Sequence, residues 1–141
     1  MKGIACRLLA AGLAGLLGGC QLNSRDQILA VDRSQVQLRS VSTRAFDTPD
    51  RNLTVRNVIA TLQDLNFVID KADEALGTVS ATKFDHYGMR MTVTVRPHGT
   101  QQVAVRASAQ YNMVAVSDAM PYQQFFSSLE KAMFLSANEI D

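Results

Sequence analysis

A chain of 141 residues with 14 basic and 13 acidic side chains, for a formal net charge of +1, offers no electrostatic footprint for nucleic acid. Its 47% hydrophobic content is enough for one buried core, while two cysteines and two histidines exclude a disulfide framework and a histidine-rich metal cage. No Gly-x-Ser-x-Gly elbow or P-loop run occurs, and no cofactor signature is found.

The N-terminus carries the strongest functional pattern. Lys2 and Arg7 form a short cationic region, and Leu8 to Leu17 form an apolar run rich in Leu, Ala and Gly. That run is about half the roughly twenty residues a spanning helix needs, so it reads as an export signal. Its closing segment Leu17-Gly18-Gly19-Cys20 resembles the lipobox of bacterial lipoproteins. The resemblance implies cleavage before Cys20, acylation of its thiol and N-acylation of the new terminus, with 1–19 as signal peptide. Buried acyl chains contribute about 0.8 kcal/mol per methylene, and two or more hold stably, so the implied partner of residue 20 is a membrane. Gln21, where inner-membrane lipoproteins tend to carry Asp, implies sorting to the periplasmic side of the outer membrane. Loss of residues 1–19 removes Lys2 and Arg7 and leaves 12 basic against 13 acidic residues over 122 positions. Cys6 leaves with the signal and Cys20 is consumed by lipid, so the folded part would hold no free thiol.

Residues 20–35 read as the lipidated terminus and a tether, with an r.m.s. reach of roughly 20 Å for some fifteen residues. Docking of the apolar cluster Ile28, Leu29 and Val31 on the domain, as an extra strand or turn, is the open alternative. Residues 36–141 form one domain. From Val36 to Phe46 the run is β-branched and alternating, with a parity shift between Leu38 and Val41 that suggests a bulge in a first strand. Thr48 as N-cap, Pro49 at the first helical position and Asp50 in the first turn predict a helix over 49–65, with Val55, Val58, Ile59, Leu62 and Leu65 as its buried stripe. Asn66 supplies a left-handed stop.

The period then changes to two. Strands are expected at 67–71 and 78–83, joined by a loop ending in Gly77, and Asp85-His86-Tyr87-Gly88 turns the chain. In 89–96, Met89, Met91, Val93 and Val95 alternate with Arg90, Thr92, Thr94 and Arg96. After the turn Pro97-His98-Gly99-Thr100, the partner strand sets Val103, Val105, Ala107, Ala109 and Tyr111 inward against Arg106, Ser108 and Gln110. A last helix over about 121–136 stacks Tyr122, Phe125, Phe126, Leu129 and Met133. The order β-α-β-β-β-β-α, with an antiparallel sheet and two amphipathic helices on its single apolar face, is an α+β two-layer sandwich.

The segment Ala60 to Asp73 followed by Gly77 to Thr82 resembles the helix-hairpin unit of uncharacterised bacterial outer-membrane lipoproteins. More distantly, it is similar to the helix-grip domains of the lipoprotein C component of the outer-membrane barrel-assembly machinery. That resemblance implies a non-catalytic accessory or scaffold with an envelope protein partner, and it brings no catalytic residues with it.

Candidate chemistry is sparse. Asp85 beside His86 is the one acid–base pair, in a turn where polar side chains are ordinary. Asp64, Asp70, Asp73 and Glu74 gather near the first helix end but lack the EF-hand spacing, so no metal site is assigned. Asn52-Leu53-Thr54 matches a glycosylation sequon without meaning in a bacterial-type lipoprotein. The candidate partner-binding face is the polar side of the sheet, Arg90, Thr92, Thr94 and Arg96 with Arg106 and Ser108, where forked guanidinium donors stand beside hydroxyls. The competing reading is a solvated face whose charges prevent aggregation. An alternative function, binding of an apolar ligand, would use Tyr122, Phe125 and Phe126 as pocket walls. Met89, Met91, Met113, Met120 and Met133 are expected to fill the core.

Overall fold

Helix, not strand, opens the domain. In the computed structural model, which describes residues 35–85 and 87–138, residues 35–42 form a helix, α1, and only Thr43–Phe46 is strand, β1. The correction has a physical reason. Leu38, Val41 and Ser42 are the positions of this stretch that turn toward the protein, a spacing of three and four that makes one helical stripe. The parity break between Leu38 and Val41 is therefore the helical i, i+3 step and not a strand bulge.

The first long helix, α2, spans Arg51–Asp64, two residues later than Pro49 suggests. Asp50, not Thr48, is its N-cap. Its backbone is extended (φ −80°, ψ 92°) and its carboxylate accepts from the Leu53 amide at 2.8 Å, satisfying one orphan donor of the first turn. Thr48 acts one step upstream, its hydroxyl accepting from the Asp50 amide at 3.2 Å. Asn66 ends the helix as expected, in the left-handed region at φ 64°. The Phe67 amide donates back to the Leu62 carbonyl and the Asn66 amide to that of Gln63, both at 2.9 Å, a Schellman closure in which Leu62 and Phe67 are both buried.

The remaining elements follow as β2 (Val68–Asp73), β3 (Thr78–Asp85), β4 (Tyr87–His98), β5 (Gln102–Tyr111), a two-residue β6 (Val114–Ala115) and α3 (Met120–Ala137). All pairings are antiparallel, in the order β1-β5-β4-β3-β2, with β6 added to the far end of β5. Parity fixes the two faces. Val79, Ala81, Met91, Val93, Val95, Val103, Val105, Ala107 and Ala109 are buried on one side, beneath Val55, Val58 and Leu62 of α2 and Tyr122, Phe125, Phe126 and Leu129 of α3. The molecule is an α+β two-layer sandwich, with both long helices on the apolar face.

Tyr122 closes a gap that β6 leaves in the edge of β5. Its hydroxyl accepts from the Ala109 amide at 3.1 Å and donates to the Val116 carbonyl at 2.9 Å, so two buried backbone groups are satisfied by one side chain. Between the helices, Asn57 accepts from the Ser136 hydroxyl at 2.9 Å and directs its amide nitrogen at the Met133 sulfur at 3.2 Å. Thr61, on the same buried face and 1% exposed, has a hydroxyl with no hydrogen-bond partner among the described residues. Replacing that hydroxyl with a methyl group removes a desolvated donor at constant shape. Thr61→Val is expected to raise stability by about 1 kcal/mol, and an unchanged or lowered urea midpoint would refute it.

Candidate partner-binding face

Among the described residues neither long helix covers the outer face of the sheet, which α1 borders at Arg106 and Ser108, and its side chains follow directly from register. Thr94 pairs across β4 and β5 with Arg106, which pairs on its other side with Thr43 of β1; Thr92 pairs with Ser108, and Arg96 with Ala104. These seven residues line a concavity of about 420 Å³. The small Ala104 side chain sits on its floor next to the two arginines, Arg96 and Arg106, which occupy diagonal positions on adjacent strands.

Charge separates the arginines into two sets. Arg90 lies 3.8 Å from the Asp70 carboxylate, which also accepts from the Thr82 hydroxyl at 2.6 Å. Arg44 pairs with Glu130 of α3 and lies over the Phe126 ring. Arg96 and Arg106, by contrast, have no carboxylate within 4.0 Å among the described residues, and no acidic side chain lines their concavity. Two free guanidinium forks set among Thr43, Thr92, Thr94 and Ser108 form a donor-rich, locally cationic surface suited to a carboxylate or another oxyanion. Some hydroxyls are already engaged: Ser80 and Thr92 share a hydrogen bond at 3.2 Å.

Five of the six residues expected on this face, Thr92, Thr94, Arg96, Arg106 and Ser108, converge on the concavity, while Arg90 is held aside by Asp70. Thr43 and Ala104 are additions to the set. Only the adjacency of β1 to β5 reveals Thr43, since nothing local in Thr43 to Phe46 specifies its partner. The opposite edge, β2, is open but irregular. A register shift between Ile69 and Lys71 interrupts its pairing with β3, which blunts the edge against strand addition.

The other candidates disperse. Cys20 and His86 lie outside the described residues, as do the signal segment and the expected tether up to residue 34. Asp85 is exposed, and His98 is exposed at the other end of β4. The acidic cluster does not converge: Asp70 serves Thr82, and Asp73 accepts from the Leu76 amide at 2.9 Å. Among the described residues, no group of three or more His, Cys, Asp or Glu side chains is placed to hold a metal, and no helix is long and apolar enough to cross a membrane. Tyr122, Phe125 and Phe126 are at most 2% exposed and occupy the centre of the core, with Phe125 and Phe126 edge to face at 5.1 Å. The methionines divide. Met91 is buried and Met89 and Met133 are partly so, whereas Met113 and Met120 are 93% and 56% exposed, against the expectation that they fill the core. No protein-family model matches the chain, and no curated protein matches it.

Proposed function

We propose that the chain is a non-catalytic lipoprotein, anchored through acylated Cys20 at the periplasmic side of the outer membrane and serving as an accessory or scaffold for an envelope protein complex. The observation that supports this reading best is the concavity on the outer sheet face, where Arg96 and Arg106 stand among hydroxyls with no carboxylate partner among the described residues. Such a surface suits a partner segment that presents carboxylates, because each guanidinium can bind one bidentately. The distant likeness to the helix-grip domains of a barrel-assembly lipoprotein points the same way. The packed core between helices and sheet gives an apolar ligand no comparable seat.

Crosslinking in intact cells, followed by identification of captured proteins, tests this. The native chain is expected to capture one reproducible envelope protein, and Arg96→Glu combined with Arg106→Glu is expected to reduce recovery at least about tenfold, the equivalent of 1.4 kcal/mol. Cys20→Ser should lose both the membrane fraction and most of the capture. No enriched partner, or recovery unchanged by the double reversal, would overturn the assignment of this face.

A further inference from the structure

Half of the ten large hydrophobic side chains exposed among the described residues lie at one end of the sandwich: Phe84, Tyr111, Met113, Val114 and Met120. Topology puts them together. Asp85 of β3 pairs with Tyr87 of β4, Met89 pairs with Tyr111, Tyr111 pairs with Val114 of β6, and α3 begins at Met120 beside the same rim. The inner sheet face runs on past the start of α3, leaving a concavity of about 370 Å³ lined by Met89, Tyr111, Met120 and Pro121 with Lys83, Asp85 and Asp118. At the opposite end the β4–β5 turn, Gly99-Thr100-Gln101, has no apolar side chain, and the β2–β3 turn exposes Leu76.

We infer that this apolar end is a second membrane contact, resting on the bilayer that holds Cys20. The inference depends on the lipid-anchor reading of Cys20. Three observations favour lipid over a shaped protein partner. First, the most exposed side chains sit on or beside separate turns and protrude, with Met113 93% and Phe84 79% exposed, so a deformable interface accommodates them where a protein would need matching pockets. Second, the chain enters the fold from this side. β1 runs antiparallel to β5, from Thr43 opposite Arg106 to Phe46 opposite Val103, so it heads away from the apolar end. Residues 35, 38, 39 and 42 of α1 border Arg106, Ala107, Ser108 and Tyr122, from the middle of β5 toward that end. Third, on the tether reading, the chain between Cys20 and Gln35 would reach roughly 20 Å, which would let the domain touch the surface and present the apolar end to it at millimolar effective concentration. A weak contact then suffices. Tyr111 and Lys83 suit the headgroup level, since each joins an apolar body to a polar tip. With Asp85 and Asp118 beside Lys83 at the same rim, the contact gains nothing from anionic lipid. This orientation leaves the β4–β5 turn distal to the bilayer.

The test uses the acylated mature chain on phosphatidylcholine vesicles. With the Cys20 thiol consumed by lipid, Met113→Cys, Phe84→Cys or Gln101→Cys each provides one site for an environment-sensitive fluorophore. A nitroxide quencher placed in the acyl region is expected to reduce emission at positions 113 and 84 at least about twofold and to leave position 101 unchanged. Equal quenching at the two ends, or none at 113 and 84, overturns the inference. Vesicle flotation of the native chain against Cys20→Ser reports separately on the anchor: equal flotation of the two would refute acyl anchoring, while the quenching pattern would still decide the apolar end.

Discussion

Gly77→Ala is expected to lower the stability of the domain by about 3 kcal/mol, a fall in Tm of roughly 12 °C for a domain of this size. Gly77 ends the β2–β3 turn at φ 66°, where an L side chain costs about 1–2 kcal/mol. It is also buried against β4: a Cβ built there would stand 2.4 Å from the Val95 carbonyl oxygen, a backbone atom that cannot swing away. Relief must come from displacing the turn. That would strain the 2.7 Å hydrogen bond from the Val95 amide to the Gly77 carbonyl and the pair that Arg51 donates to the Glu74 and Ala75 carbonyls at 2.6 and 3.0 Å. Gly99 provides the control, because it has the same φ of 66° but open space around its Cβ position. Gly99→Ala should therefore cost only the conformational part, about 1–2 kcal/mol. Urea melts of the two variants isolate the steric part as their difference, and equal losses would show that no clash acts at Gly77.

Where one period ran undisturbed, the sequence was readable. Met89 to Val95 and Val103 to Ala109 alternate without a break, and the structure buries those faces. The stripe from Val55 to Leu62 and the group from Tyr122 to Leu129 likewise became the faces of α2 and α3. Residues 36–42 were misleading because β-branched and polar residues alternate there by composition, while the contacts that decide, at Leu38, Val41 and Ser42, follow the helical step. The N-cap moved from Thr48 to Asp50 because both can accept from an amide two or three residues on, and only the position of Pro49 separates them. The candidate face was legible as a composition, arginines with hydroxyls. Its geometry was not, since the pairing of Thr43 with Arg106 is a long-range contact and the capture of Arg90 by Asp70 depends on β2 lying next to β3. The exposed methionines were missed for a related reason: Met113 and Met120 flank the short β6, whose pairing with the end of β5 no local pattern announces.

Phe126→Ala should produce the largest stability loss, about 3–5 kcal/mol, a fifth or more of the roughly 5–15 kcal/mol typical of a domain. Phe126 is fully buried, meets Phe125 edge to face at 5.1 Å with rings inclined by 67°, and faces the Arg44 guanidinium 5.2 Å from its centroid. One helical turn on, Glu130 pairs with the same Arg44. α3 thus holds β1 to the sheet through two side chains of very different worth. The Arg44–Glu130 pair is 39% and 50% exposed, so solvent screening limits it to about 0–1 kcal/mol. The ring supplies the rest, through burial and the cavity that its removal would open. Glu130→Ala should leave the urea midpoint nearly unchanged, while Phe126→Ala should shift it strongly and release amide protection in Thr43–Phe46 before it is lost in β4. Because Thr43 lines the concavity beside Arg106, the same loosening should weaken partner capture at temperatures where the domain is still folded. A Phe126→Ala protein that kept native protection in β1 would show that β1 is secured by its pairing with β5 alone, and that α3 contributes nothing to the shape of the candidate face.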